Sequence, residues 1–197
     1  MPIENPYLIW IDCEMTGLDI VNDSLVEIAV LVTDSELNLI GEGVDVVIKV
    51  EDSKIAGMND FVTQMHTNSG LITEIPNGKS LSQAEELIID YLKASGVEAG
   101  KSPLAGNTVG WDRNFIQRDL PALNSFLHYR SVDVSSIKEL ARRWYPREYF
   151  AAPAKTGNHR ALGDIQDSIA ELQYYRKALF APAAPAQSEK EAEKPSA

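Results

Sequence analysis

From Tyr7 to Cys13 the chain is dominated by apolar residues, rich in Ile with a Trp, and is followed by the turn-prone pair Thr16 and Gly17. This pattern predicts a buried central strand that opens onto a loop. Leu25 to Thr33 and Leu39 to Val50 are rich in β-branched residues and are separated by the polar stretch Thr33 to Asn38. They predict two further strands joined as a hairpin. The pattern then turns helical from Met58 to Ser69 and stops at Gly70, and Ser80 or Ser82 is placed to cap a second helix through Leu87, Ile88, Tyr91 and Leu92.

Pro103 to Gly106 is a short apolar piece between a Gly-Lys-Ser turn and Asn107, as expected of a buried strand whose end carries a functional loop. Trp111 to Leu120 reads as a helix that stops before Pro121. Tyr129 to Val134 reads as a strand and Ser135 to Trp144 as a helix with Ser135 or Ser136 near its cap. In the last helix, Ala161 to Phe180, residues Ala161, Ile165, Ile169, Leu172 and Leu179 recur at helical spacing. Strands and helices thus alternate after an initial meander, which predicts an α/β fold with a mixed sheet. No internal repeat is visible. From Ala181 onward the chain is mostly Ala, Pro, Glu and Lys, without an aromatic or β-branched residue. The expectation is one domain over 1–180 and a disordered tail over 181–197.

Composition narrows the class. A length of 197 residues supports one well-filled core, and 44% hydrophobic with 24% charged residues excludes wholesale disorder or a fibrous repeat. The single Cys13 cannot form an intramolecular disulfide, and the amino terminus lacks a basic segment followed by an apolar signal core, so a cytoplasmic protein is expected. No apolar run approaches the roughly 20 residues that cross a bilayer, so no membrane association is expected. Lys and Arg number 18 against 29 Asp and Glu, a formal charge of −11, which argues against a long, nonspecific grip on nucleic acid. Clustered carboxylates that recruit divalent cations reverse that electrostatic logic for a short phosphate-bearing substrate.

Several positions carry candidate chemistry. Asp12 and Glu14, two residues apart at the end of the first strand, share one face. Alone, such a pair merely starts a turn. Asp112 falls near the start of a helix, where a cap or a favourable charge on the helix dipole explains it equally well. His159 and Asp164 are five residues apart, so on one helix they would face different ways. A shared site needs His159 in the preceding loop or first turn, which Gly157 and Asn158 permit. Taken as an ordered set, four carboxylates and one imidazole suit two-metal phosphodiester hydrolysis by Mg²⁺ or Mn²⁺. His159 would accept a proton from the attacking water.

The extended motifs are more specific: WIDCEMTGLD at Trp10 to Asp19, LVTDSELNLIGEG at Leu31 to Gly43, HTNSGL at His66 to Leu71, GNTVGWDRNF at Gly106 to Phe115, HYRSVDVSSIKELARRWYP at His128 to Pro146 and HRALGDI at His159 to Ile165. Through them the chain, from about Leu8 to Phe180, resembles the DEDDh 3′→5′ exonucleases and, within them, the oligoribonuclease family. The resemblance implies a ribonuclease H-like fold, a mixed β-sheet flanked by α-helices, in a homodimer that removes nucleotides from the 3′ ends of very short RNAs. It implies that Asp12, Glu14, Asp112 and Asp164 hold two divalent cations, that His159 is the general base, and that Leu18 and Phe61 wedge or stack against the bases. It further implies that His66, Thr108, Ser135 and Ser136 meet the substrate's 5′ phosphate, with Tyr129 and Arg130 arriving from a partner subunit.

Phe61 stands where the family usually has Trp, Thr108 where it usually has Ser, and Gly163 where a further acid often precedes the last metal ligand. Plain structural readings stand beside these roles: Tyr129 and Arg130 as an ordinary strand pair at an interface, Ser135 as a helix cap, Cys13 as a small buried residue. Trp144, Tyr145, Tyr174 and Tyr175 suit core or dimer packing, and Arg142 and Arg143 a solvated or interface face. Two other functions remain open: a noncatalytic nucleotide-binding module, which the intact five-residue set disfavours, and an exonuclease acting on longer DNA or RNA, which has no need of a phosphate cap.

Overall fold

The structure, a computed structural model, describes residues 6–155 and 159–180. Strands β1 (Leu8–Met15), β2 (Leu25–Thr33) and β3 (Leu39–Val47) form the expected antiparallel meander. On the other side of β1, β4 (Pro103–Gly106) pairs parallel to it and β5 (His128–Asp133) pairs parallel to β4. The mixed sheet has the order β3-β2-β1-β4-β5, which leaves β1 at its centre and β3 and β5 at its edges. The helices are α1 (Asp52–Ala56), α2 (Asp60–Asn68), α3 (Leu71–Glu74), α4 (Leu81–Ala94), α5 (Gly110–Asp119), α6 (Pro121–Phe126), α7 (Val134–Trp144), α8 (Pro146–Phe150) and α9 (Ala161–Leu179).

The alternation along β1 sorts the core into two layers. Ile9, Ile11, Cys13 and Met15 point to one face, where they meet Ile88 and Leu92 of α4 and Phe115 and Ile116 of α5. Trp10 points to the other, with Ala29 and Leu31 of β2, under Ala161, Ile165, Ile169 and Leu172 of α9 and Val134 and Ala141 of α7. The even-numbered side of β1 therefore looks at α9. Among the described residues, no helix is long and apolar enough to cross a membrane.

Local signals explain most boundaries, and several differ from expectation. Asn59 accepts from the Val62 N–H, so α2 begins at Asp60 and the chain before it forms the separate turn α1. β3 ends at Val47 rather than Val50, and Ile48 makes an isolated bridge to Lys79. Ser80, not Ser82, caps α4, in a capping box with Gln83. Neither Ser135 nor Ser136 caps α7: the Asp133 carboxylate does, accepting from the Ser135 N–H. Tyr175 is buried in the core as expected, whereas Trp144 and Tyr145 are exposed. Gly157, Asn158 and the expected tail over 181–197 lie outside the described residues.

Trp10 is fully buried, and its indole Nε1 donates to Thr33 Oγ1 across the β1–β2 pair at 2.9 Å. Trp10→Phe leaves that buried hydroxyl without its donor and opens a void, so urea unfolding should show a loss of about 1–3 kcal/mol with an unchanged m-value.

Candidate active site

Asp12 and Glu14 stand on the face of β1 that looks at α9, next in the alternation after Trp10. Glu14 pairs with Glu27, but Met15 pairs with Leu25, so Val26 is an extra residue in β2, a bulge beside the acidic end of the strand. Asp164 comes to the same place from the first turn of α9, because Ala161 and Ile165 pack that turn onto the Trp10 layer. Asp12, Glu14 and Asp164 each place an oxygen within 4.8 Å of the others. Asp112 lies outside this trio but against it. β1 runs on past the end of β4, and Asp112 Oδ1 accepts the Cys13 N–H, between Asp12 and Glu14, at 3.0 Å.

These carboxylates oppose one another. Burial raises the pKa of Asp12 well above the ordinary range, and the charges of Asp112, Glu14 and Asp164 add to the effect, while Lys155 counters it. Burial, followed by Asp164, Glu27 and Asp112, pushes Glu14 up to about 8. Asp112 is pushed up to about 7, again chiefly by burial, even though the Cys13 N–H bond favours its charged form. Asp164 is raised by burial and opposed by His159 and Lys155. A set of hard oxygen donors that resists ionisation together fits a divalent cation, whose charge removes the penalty. Asp12, Glu14 and Asp164 with Asp112 beside them would hold it.

His159 directly precedes the Arg160 N-cap of α9, outside the helix as the spacing requires, and is exposed with φ of +49°. Thr108, in the loop after β4, has φ of +57°, an unusual conformation for a β-branched residue. Such backbone strain persists where the surroundings enforce it, often at functional sites. Here Asp133 Oδ1 accepts both the Thr108 N–H (3.0 Å) and the Ser135 N–H (2.9 Å), which brings Thr108 Oγ1 and Ser135 Oγ to 3.0 Å. Ser136 is exposed on the next position of α7. Tyr129 and Arg130 are exposed on edge strand β5, with the Arg130 guanidinium 5.4 Å from the Tyr129 ring centre.

Leu18 and Phe61 line a pocket of about 400 Å³ together with Glu14. Phe61 also lines a pocket of about 690 Å³ with His159 and Arg160. Both residues are large exposed hydrophobics, Phe61 at 75%. His66 is placed differently from the surface residue that a phosphate contact needs. It is fully buried, its Nε2 lies 2.9 Å from the Met15 carbonyl oxygen and its Nδ1 lies 3.9 Å from Glu14, so it ties α2 to the end of β1.

Three groups around the site escaped the sequence reading. Asp23 closes the Leu18 loop, accepting from the Thr16 hydroxyl (2.9 Å) and the Asp19 N–H (2.8 Å); a Cβ on Gly17 would meet its carboxylate at 2.3 Å. Buried Glu171 receives Asn107 Nδ2 at 3.0 Å and pairs with Lys138 at 3.0 Å and Lys155 at 3.7 Å. Glu27, the one charge in the apolar strand LVEIAVLVT, is itself a sequence signal of a buried polar contact.

A mixed sheet with acids gathered at the end of its central strand, and a histidine and a fourth acid at a helix start, suits a metal-dependent hydrolytic site. The sequence profile of the exonuclease family matches residues 9–172. The chain is 58% identical over 178 residues to the oligoribonuclease of Streptomyces griseus, covering 90% of this chain and 89% of that one. It is also 58% identical over 175 residues to that of Cutibacterium acnes, covering 89% and 87%. Zinc-bound E. coli exonuclease I in complex with single-stranded DNA has the same fold, with a TM-score of 0.70 at 17% identity over 89% of this chain and 41% of that one. The chain belongs to the oligoribonuclease family, and its mixed sheet is the ribonuclease H-like one expected.

Glu14 in the folded protein keeps its proton up to about 8, against an ordinary value of 4.5, so its contribution favours folding at low pH and is lost as pH rises across that window. In chelator, Tm should therefore fall between about pH 5 and pH 8, and Glu14→Gln should flatten that slope. Saturating Mn²⁺ should raise Tm at pH 8 in the parent protein but not in Asp12→Ala.

Proposed function

We propose that this chain hydrolyses oligoribonucleotides of a few residues, dinucleotides among them, from their 3′ ends to 5′ mononucleotides, using two divalent cations, Mg²⁺ or Mn²⁺. The observation that carries the reading is the convergence of Asp12, Glu14 and Asp164 oxygens within 4.8 Å, with Asp112 against them, in a chain 58% identical to an oligoribonuclease. Bound cations would neutralise charge on the reacting phosphate and make the attacking water more acidic. Asp12, Glu14, Asp112 and Asp164 would hold them. His159 takes the proton of the attacking water as its oxygen bonds to phosphorus and the bond to the 3′ oxygen of the preceding nucleotide breaks.

Leu18 and Phe61 form the apolar walls for the bases, with pocket volumes in the range that suits small ligands. The paired hydroxyls of Thr108 and Ser135, with Ser136 beside them, receive the 5′ phosphate. Arg130 adds charge-assisted bonds and Tyr129 a stacking face, both from a partner subunit. A 75% exposed Tyr129 on an unpaired sheet edge supports the dimer. A site closed at both ends admits only short chains, which reconciles RNA chemistry with a charge of −11. The free, buried Cys13 suits a reducing cytoplasm.

End-labelled RNAs of two to about ten residues, incubated with Mg²⁺, Mn²⁺ or chelator, test this reading. Metal-dependent release of mononucleotides, fastest on the shortest chains, is expected; equal rates on all lengths would remove the phosphate cap, and no turnover by folded protein would leave a binding module. His159→Ala should lower kcat by about 10²–10⁴-fold with KM nearly unchanged. Normal turnover by that variant would refute its role as base. Phe61→Trp should lower KM for a dinucleotide about two- to fivefold through added stacking area, read from initial rates.

A further inference from the structure

Glu27 is fully buried in the middle of the sheet, directly across from Glu14. A carboxylate in that position is costly unless its oxygens are paired. Oε1 accepts from Arg160 Nε at 2.8 Å and lies 2.6 Å from Arg160 Nη2, and Oε2 accepts the Ala161 N–H at 3.0 Å. The guanidinium then reaches the other way, Nη1 to Glu74 Oε1 at 2.9 Å and Nη2 to Glu74 Oε2 at 3.1 Å. Burial works against the Arg160 charge, yet the bonds from Glu27 and Glu74 hold its pKa above the usual arginine value. Since the Arg160 side chain makes no cap bond to its own helix, it is Glu27, from the sheet, that satisfies the first N–H of α9.

The two active-site groups flanking this contact differ in what else secures them. Asp164 rides on a helix turn whose Ala161 and Ile165 are locked in the core. His159 lies before the helix, exposed, in a left-handed conformation, and is bonded covalently to Arg160. We propose that Glu27, Arg160 and Glu74 form a clamp joining β2, α9 and α3, through which Arg160 acts as the positioning residue for the His159 ring. The proposal rests on the reading of His159 as general base. The Arg160 fork meets Glu27 through Nε and Nη2 and Glu74 through Nη1 and Nη2, a set of contacts that the single ammonium of lysine does not reproduce. Glu27 adds to the repulsion at Glu14, and the Arg160 charge works against it.

The test compares kcat and KM on a dinucleotide for the parent, Arg160→Lys, the double variant Glu27→Gln/Arg160→Gln, His159→Ala, and the triple variant combining them. Arg160→Lys keeps the charge and the double variant removes the ion pair whole, so neither leaves Glu27 buried against an uncharged partner. Both should lose about 10- to 100-fold in kcat, with KM within about threefold and the Mn²⁺-induced rise in Tm retained. On the His159→Ala background the double variant should cost less than about threefold more, because the group it positions is already gone. Parent-like kcat in both clamp variants, or losses that multiply with His159→Ala, would overturn the clamp while leaving the base assignment standing. Full activity of His159→Ala would instead overturn the base assignment, and the clamp's role with it.

Discussion

Like charges held close together in a partly dry pocket repel, and everything around this site answers to that fact. Asp12, Glu14, Asp112 and Asp164 would each ionise easily in water; gathered here, each is pushed toward its neutral form. The fold keeps them together because their backbones are fixed by interactions that have nothing to do with the carboxylates: the central position of β1, the apolar underside of α9, and the end of β4 at Gly106, after which the chain turns into α5, the helix that carries Asp112. The stability of the two core layers holds the site in a geometry its own electrostatics disfavour, and a bound divalent cation would relieve that repulsion. This is the trade common to metal hydrolases, in which structural stability supports functional sites that are unfavourable when empty.

Much of this architecture was legible along the chain. The apolar alternation in β1 and β2 and the helical spacing in α9 survive because each element buries one face, and burial writes a period into the residues. Asp12, Glu14 and Asp164 inherit their common location from those periods. The four-residue α3 and five-residue α8 are too short to carry a period, and they passed unread. The cap of α7 was misplaced by a few positions since Asp133, Ser135 and Ser136 all have the chemistry of a cap; only the backbone decides which is used.

Apart from the short-range bonds of Asp23, the contacts that escaped reading share one property, which is distance. Glu27 stands out in its strand, but its partner Arg160 lies 133 residues later. The Asp112 bond to the Cys13 amide spans 99 residues and depends on where a neighbouring strand happens to stop. Nothing in HTNSGL reports that His66 meets the Met15 carbonyl, 51 residues earlier in the chain. Local patterns disclose elements; the pairing of polar groups across the sheet appears only when the elements are assembled.

The acidic cluster draws on both ends of the folded chain, with its first member on the earliest strand and its last on the final helix. A ribosome adding ~5–20 residues per second needs on the order of ten seconds between making Asp12 and making Asp164. Until Asp164 is made the set of four carboxylates is incomplete, so the full repulsion among them comes last, with the helix that also closes the Trp10 layer.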